Sequence, residues 1–143
     1  MELTRLSGVI DRIQAGTSPD AALAEFVHAF DLAPSDETRL TMLENEPILT
    51  KDKRLNAVVG AIAEYLAKQY KLGRVPRWVS GSARCLDQPW HMSSMFIDWQ
   101  REVLTDGMRE YLTFASPAEF ASRNIFTDEL PLRRARGPRP TET

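Results

Sequence analysis

Residues 52–70 read DKRLNAVVGAIAEYLAKQY. Leu55, Val59, Ile62, Leu66 and Tyr70 recur every three or four positions, with Val58 and Ala63 beside them, which lines them up along one helical face. The spacing predicts a central helix over 52–70, the longest element of the chain. Gly73 supplies a left-handed exit from it, and Val75-Pro76 cannot continue a helix because proline pushes the preceding residue toward extended geometry.

Upstream, three shorter helices are expected. Leu3, Leu6, Val9, Ile10 and Ile13 share one face of the first, which Gly16 stops. Ser18, Pro19 and Asp20 form a start signal for the second: a hydroxyl cap, a proline at the first helical position, and an acid near the positive end of the dipole. Its inward residues are Ala22, Leu23, Phe26, Val27 and Phe30. Pro34-Ser35-Asp36-Glu37 repeats the signal for a third helix carrying Leu40 and Leu43 and closed by Pro47. Helices this short are marginal alone and need something longer to pack on.

Downstream, Arg74 to Ser93 contains Pro76, Gly81 and Pro89 but also Trp78, Val79, Leu86 and Trp90, and reads as a long loop pinned by aromatic anchors. Ser93 or Ser94 caps a further helix with Phe96, Trp99, Val103 and Leu104 inward, and a break is expected at Asp106-Gly107 before another helix over Met108–Phe114. Ser116-Pro117-Ala118-Glu119 has the form of a capping box opening a short helix that ends near Arg123. Residues 124–127, with Ile125 and Phe126, suit an extended stretch. The expectation is all-α: a compact bundle of five to seven helices in one domain over 1–132, followed by a disordered basic tail over 133–143.

Composition supports a globular chain: 143 residues with 43% hydrophobic and 27% charged side chains, near the averages for folded domains. The formal charge is −2, and the tail carries Arg133, Arg134, Arg136 and Arg139. Subtracting those four, and the tail's Glu142, from 18 basic and 20 acidic residues leaves 14 and 19, so residues 1–132 carry −5. Such a body does not attract nucleic acid by charge, whereas the arginine tail offers a weak, salt-sensitive contact as an alternative. One cysteine, no apolar leader region and no apolar run approaching membrane-spanning length fit a cytoplasmic protein without a membrane partner.

The residues themselves signal little chemistry. Paired Cys/His spacing is missing, so no metal site is expected, and no nucleotide-cradling or hydrolase motif implies a cofactor or catalytic set. Cys85 is expected to be a buried, inert thiol; a Cys85–His91 nucleophile pair is the weaker alternative, because nothing around it resembles an oxyanion hole. The tryptophans Trp78, Trp90 and Trp99 fit either core anchors or interface anchors.

The segment from Met108 to Leu130, with Ser116-Pro117, Phe120 and Arg123-Asn124-Ile125-Phe126-Thr127-Asp128, resembles the C-terminal signature of a family of small bacterial helical proteins. Leu86-Asp87-Gln88-Pro89-Trp90 is similar to its L-x-x-P-W loop, and Asp31-Leu32-Ala33-Pro34 with Glu46-Pro47 to its N-terminal part. That resemblance implies an antitoxin-like partner of a nucleotidyltransferase-type toxin and brings no catalytic residues with it. The expected function is therefore a non-enzymatic protein-interaction module, with a homo-oligomer open as well. Its contact residues are expected to be Trp78, Trp90, His91, Phe120, Asn124 and Phe126. In the residues' own terms Phe120 and Phe126 bury against the short helix, and Asn124 takes a bonded or strained turn geometry.

Overall fold

The computed structural model describes residues 3–92, 104–128 and 132. Among these, the elements run α1 (Leu6–Gln14), α2 (Pro19–Asp31), α3 (Asp36–Glu44), α4 (Lys53–Gln69), two 3₁₀ turns (Arg77–Ser80 and Ser82–Arg84), β1 (Trp90–His91), α5 (Asp106–Ala115), α6 (Ala118–Ala121) and β2 (Ile125–Phe126). The fold is mostly helical, as the periodicity predicts. No described helix is long and apolar enough to cross a membrane. The expected helix from Ser93 or Ser94 lies outside the described residues as far as Val103, including Trp99, as does the tail; Leu104, expected on its inward face, is buried but not helical.

α4 is the organising element. The Asp52 carboxylate accepts from the backbone N–H groups of Arg54 and Leu55 at 3.0 and 3.2 Å, satisfying amides that the first turn leaves open. Every residue from Leu55 to Ala63 is buried, as are Tyr65, Leu66 and Ala67, so the helix is covered on nearly all sides. Asn56 is buried with them. Its side chain accepts from the Thr50 amide and hydroxyl and donates to the Thr50 carbonyl, pinning the turn before the helix. The exit differs from expectation: Lys71, at φ 54°, is the left-handed residue, with the amides of Lys71 and Leu72 bonded to the carbonyls of Lys68 and Ala67. Gly73, at φ 88°, comes two residues later and only redirects the chain.

α1 packs against α2 and α3. Its C-terminal turn ends at Gly16 (φ 118°), as read from sequence. Ser18 makes no side-chain cap bond, so the start of α2 rests on Pro19 and Asp20, whereas the Ser35 hydroxyl does cap α3 through the Thr38 amide. Arg39 closes the other end of α2, donating to the carbonyls of Phe30, Asp31 and Ala33 while its guanidinium lies 4.9 Å from the Tyr70 ring centroid. Tyr70 in turn donates to Asp31 at 2.7 Å and meets Phe30 edge-on, joining α2 to the end of α4.

Two arginines occupy the other side of α4. Arg84 is 1% exposed and Arg123 is 5% exposed, and both lie against Gly60. A β-carbon at position 60 would sit 3.0 Å from the Arg84 Cβ and 3.3 Å from the Arg123 Nε, so the helix surface there must be bare. Arg84 donates to the carbonyls of Pro47 (2.6 Å) and Asn56 (3.3 Å), pairs with Glu46 at 3.4 Å, and lies over the Trp78 ring at 4.9 Å. Arg123 donates to Glu64 (2.7 Å), the Glu119 carbonyl (2.6 Å) and the Val79 carbonyl (2.7 Å). Each keeps a buried Nε–H that no described residue accepts.

The C-terminal segment departs from its local signals. Pro117, not Ser116, is the residue before α6, and no capping box forms. The Ser116 hydroxyl lies against the carbonyls of Leu112 and Thr127 and accepts from the Thr127 amide at 2.7 Å, tying the end of α5 to the exit of β2. Glu119 instead faces Lys68 at 3.6 Å. Thr105 caps α5, its hydroxyl accepting from the Met108 amide, so Asp106 and Gly107 lie inside the first turn and not at a break ahead of it.

Removing the Arg123 guanidinium orphans two carbonyls and a carboxylate, and Arg123→Ala is expected to cost about 3–5 kcal/mol in urea unfolding. Arg123→Lys, with a point charge in place of the planar fork, is expected to recover little of that loss. Gly60→Val is expected to cost about 1–3 kcal/mol by overpacking against Arg84. Burial raises the Glu64 pKa, but its bonds to Arg123 and Lys68 outweigh that and hold the carboxyl below its ordinary 4.5. Its stabilising effect is complete above that value and is lost as pH falls through the lower folded pKa. The stability gap between wild type and Glu64→Gln, measured by denaturation at a series of pH values, is expected to close on acidification.

Candidate functional site

Residues 86–92 and 123–127 meet in space. β1 and β2 pair in parallel, Trp90 opposite Ile125 and His91 opposite Phe126. Around that pair the Leu86 amide donates to the Arg123 carbonyl, that of Trp90 to Asn124 and that of Met92 to Phe126. Asn124 sits at φ 64°, a conformation asparagine tolerates better than most residues, and donates its side-chain amide to the Leu86 carbonyl at 2.6 Å. The bonded turn geometry and extended stretch expected for 124–127 are both present, and they pair with the loop of 86–92.

Most of the expected contact residues serve this clasp. Trp90 is 5% exposed beneath the Arg54 guanidinium, 4.8 Å from the ring centroid, and Phe120 is fully buried edge-on to Tyr65. Both are buried against α4, Trp90 because its loop folds back onto Arg54 and Phe120 because α6 packs on Tyr65, so neither stands out as an exposed anchor. Trp78 is half-buried, donating its indole N–H to the Leu43 carbonyl at 3.0 Å. Asn124 and Phe126 are half-buried in the ladder. The arginines at 133, 134, 136 and 139 lie outside the described residues.

His91 links β1 to α5. Its ring stacks on Phe126, with centroids 5.0 Å apart, and its Nε2 lies 3.0 Å from the Thr113 hydroxyl. That hydroxyl also lies 2.8 Å from the Arg109 carbonyl, to which it donates. Cys85 is exposed, against the expectation of a buried thiol, because the 3₁₀ turn that buries Arg84 turns its neighbour outward. Among the described residues no hydrogen bond joins Cys85 to His91, and no group of His, Cys, Asp or Glu has the arrangement to hold a metal.

What the sequence reading passes over is the outer face of α5. The helix buries only Leu112, with Leu104 buried just ahead of it. Met108, Tyr111 and Phe114 follow at three-residue spacing and are 42%, 54% and 83% exposed. Thr105, Gly107, Met108, Tyr111, Leu112 and Asp128 line a shallow cleft along it. A ten-residue helix held by one buried side chain is marginal by itself. It is kept in place by the Thr105 cap, the His91–Thr113 bond and the Ser116–Thr127 tie. The apolar residues at 108, 111 and 114 are legible as part of a helix but not as an outward face, because spacing alone does not say which side meets the core.

Comparison with known protein families, curated proteins and solved structures finds no match for this chain.

Burial, and then the nearby charge of Arg109, lower the His91 pKa below its ordinary 6.5. An NMR titration of the ring is expected to give a midpoint under 6.5, and Arg109→Gln to raise that midpoint without restoring it fully. The stabilisation associated with the neutral ring is complete above 6.5 and lost as pH falls through the lower value.

Proposed function

We propose that this chain is a non-enzymatic protein-interaction module, the antitoxin-like component that binds a nucleotidyltransferase-type toxin, and that it holds its partner on the outer face of α5. The toxin class comes from the resemblance carried by residues 86–90 and 108–130. The observation that carries the choice of surface is Phe114, 83% exposed at the end of an apolar row with Tyr111 and Met108. Large apolar side chains at helical spacing are the anchors by which a helix face is recognised, and aromatic anchors supply much of the binding energy of protein interfaces. The clasp of β1 and β2 supports the reading in a second way, since it fixes both ends of the α5 region to the body and orders the face before a partner arrives.

The test is to purify the full-length chain from its native cell under mild conditions, identify the stoichiometric partner by mass spectrometry, and measure its affinity for variants. A nucleotidyltransferase-type protein is expected, with Phe114→Glu weakening it by about thirtyfold or more. Leu32→Glu, at an exposed apolar position at the end of α2, is expected to change the affinity less than twofold. A partner indifferent to Phe114→Glu, or one of another class, overturns the proposal.

A further inference from the structure

We propose that a second site lies between α3 and the exit of α4, and that it takes a small monocarboxylic acid with an apolar body. Leu40 and Glu44 form one wall of a cleft of about 390 Å³, and Arg74, Val75, Pro76 and Arg77 form the other. A cleft of that size is within the range that small-molecule ligands occupy. Its lining shares no residue with the cleft on α5. The chain builds the two walls and fastens them together. Lys71 and Gly73, both at positive φ, turn it out of α4, and Pro76 fixes the backbone ahead of the first 3₁₀ turn. Trp78 then donates its indole N–H to the Leu43 carbonyl at 3.0 Å, tying this segment to α3 between Leu40 and Glu44 in sequence. The buried Arg84 guanidinium lies over the same ring at 4.9 Å and holds it there. Leu40 and Val75 pack on the core and give the cleft its apolar part.

Charge selects the ligand. Every other described arginine meets a carboxylate or, for Arg54, lies over the Trp90 ring. Arg74 and Arg77 are exposed and have no hydrogen-bond or ion-pair partner among the described residues, and both line this one cleft. The planar donors of a guanidinium match the two oxygens of a carboxylate, and Leu40, Val75 and Pro76 give the acid's body an apolar surface to cover. Glu44 opposes an anion from the facing wall. It pairs with Arg5 at 3.6 Å, but both side chains are more than a third exposed, so its charge is offset only in part. Two arginines against one glutamate leave the lining at +1, which a single negative charge balances. The second charge of a phosphate monoester is set against Glu44, an amine is repelled by the arginines, and a neutral amide of the same shape forgoes their attraction.

The probe is octanoate, titrated against the full-length chain at about pH 8, where a phosphate monoester is a dianion, and followed by backbone amide shifts in NMR. Octanamide, octylamine and octyl phosphate are its neutral, cationic and dianionic counterparts. Octanoate is expected to bind with a Kd below about 1 mM and to move the amides of 40–44 and 74–78. It is expected to bind at least tenfold tighter than the amide and the amine, and about threefold tighter or more than the phosphate. Arg74→Gln with Arg77→Gln is expected to weaken octanoate at least tenfold and to leave the urea midpoint unchanged, since neither side chain has a partner to lose. Glu44→Gln is expected to bring octyl phosphate level with octanoate. Octanamide that binds as well as octanoate overturns the proposal, because the contact is then apolar alone. So do a Kd above about 1 mM, octyl phosphate binding more tightly than octanoate to the wild-type chain, and octanoate binding that survives loss of both arginines. Shifts confined to 105–112 put the acid on α5 and overturn it equally.

Discussion

A bare patch on a helix, filled from outside by the stem of one arginine and the guanidinium of another, holds the rest of the structure in place. At Gly60 the surface of α4 has no side chain, and Arg84 and Arg123 come to rest there. Through them α4 is joined to the turn at Glu46 and Pro47, to the first 3₁₀ turn at Val79 and to the carbonyl of Glu119, and its own Glu64 is drawn into the same network. Burying two cations costs desolvation, and the two Nε–H groups left without an acceptor among the described residues show that the cost is not fully recovered. The return is a defined arrangement. Planar, directional donors accept few alternative positions for the loops they hold, whereas apolar contacts alone would tolerate several.

The helices are legible in the sequence because burial on one face imposes a period, and Leu55, Val59, Ile62 and Leu66 keep it through the whole of α4. Where sequence and structure differ, a tertiary partner displaces a local one. Ser116 carries the right chemistry to cap α6, but its hydroxyl is engaged by Thr127 and Leu112, residues of the strand exit and the preceding helix. Lys71 takes the left-handed position although a glycine lies two residues away, because the end of α4 is set by Tyr70 locking onto Asp31 and Phe30. Arg84 and Arg123 are beyond a sequence reading: charged residues are surface residues on average, and the three-dimensional neighbours that make them exceptions come from distant positions. The tryptophans show the limit from the other side. Trp78 and Trp90 do act as anchors, but a core anchor and an interface anchor have the same composition and differ only in what covers them.

The candidate site is legible in part for the same reason. Residues 86–90 and 123–128 stand out in the sequence and lie together in space, where they pair beneath α5, while the exposed apolar row lies on α5 itself. His91 is the hinge between those roles, stacked on the ladder at Phe126 and bonded to α5 at Thr113.

The parallel sense of the β1–β2 pair has a consequence for how this protein can vary. Antiparallel strands are joined by a turn whose length fixes their register, but parallel strands need a crossover, and register is then set by the ladder itself and by what packs on it. Everything between His91 and Ile125, α5 included, is that crossover. The entropy of closing a loop grows only logarithmically, by about 0.6 kcal/mol for each doubling of length. By that measure alone, a change of crossover length costs the pairing of β1 with β2 little. The register of the clasp is therefore held by its own ladder and by the packing of Trp90 and Ile125, and not by the length of chain that joins them.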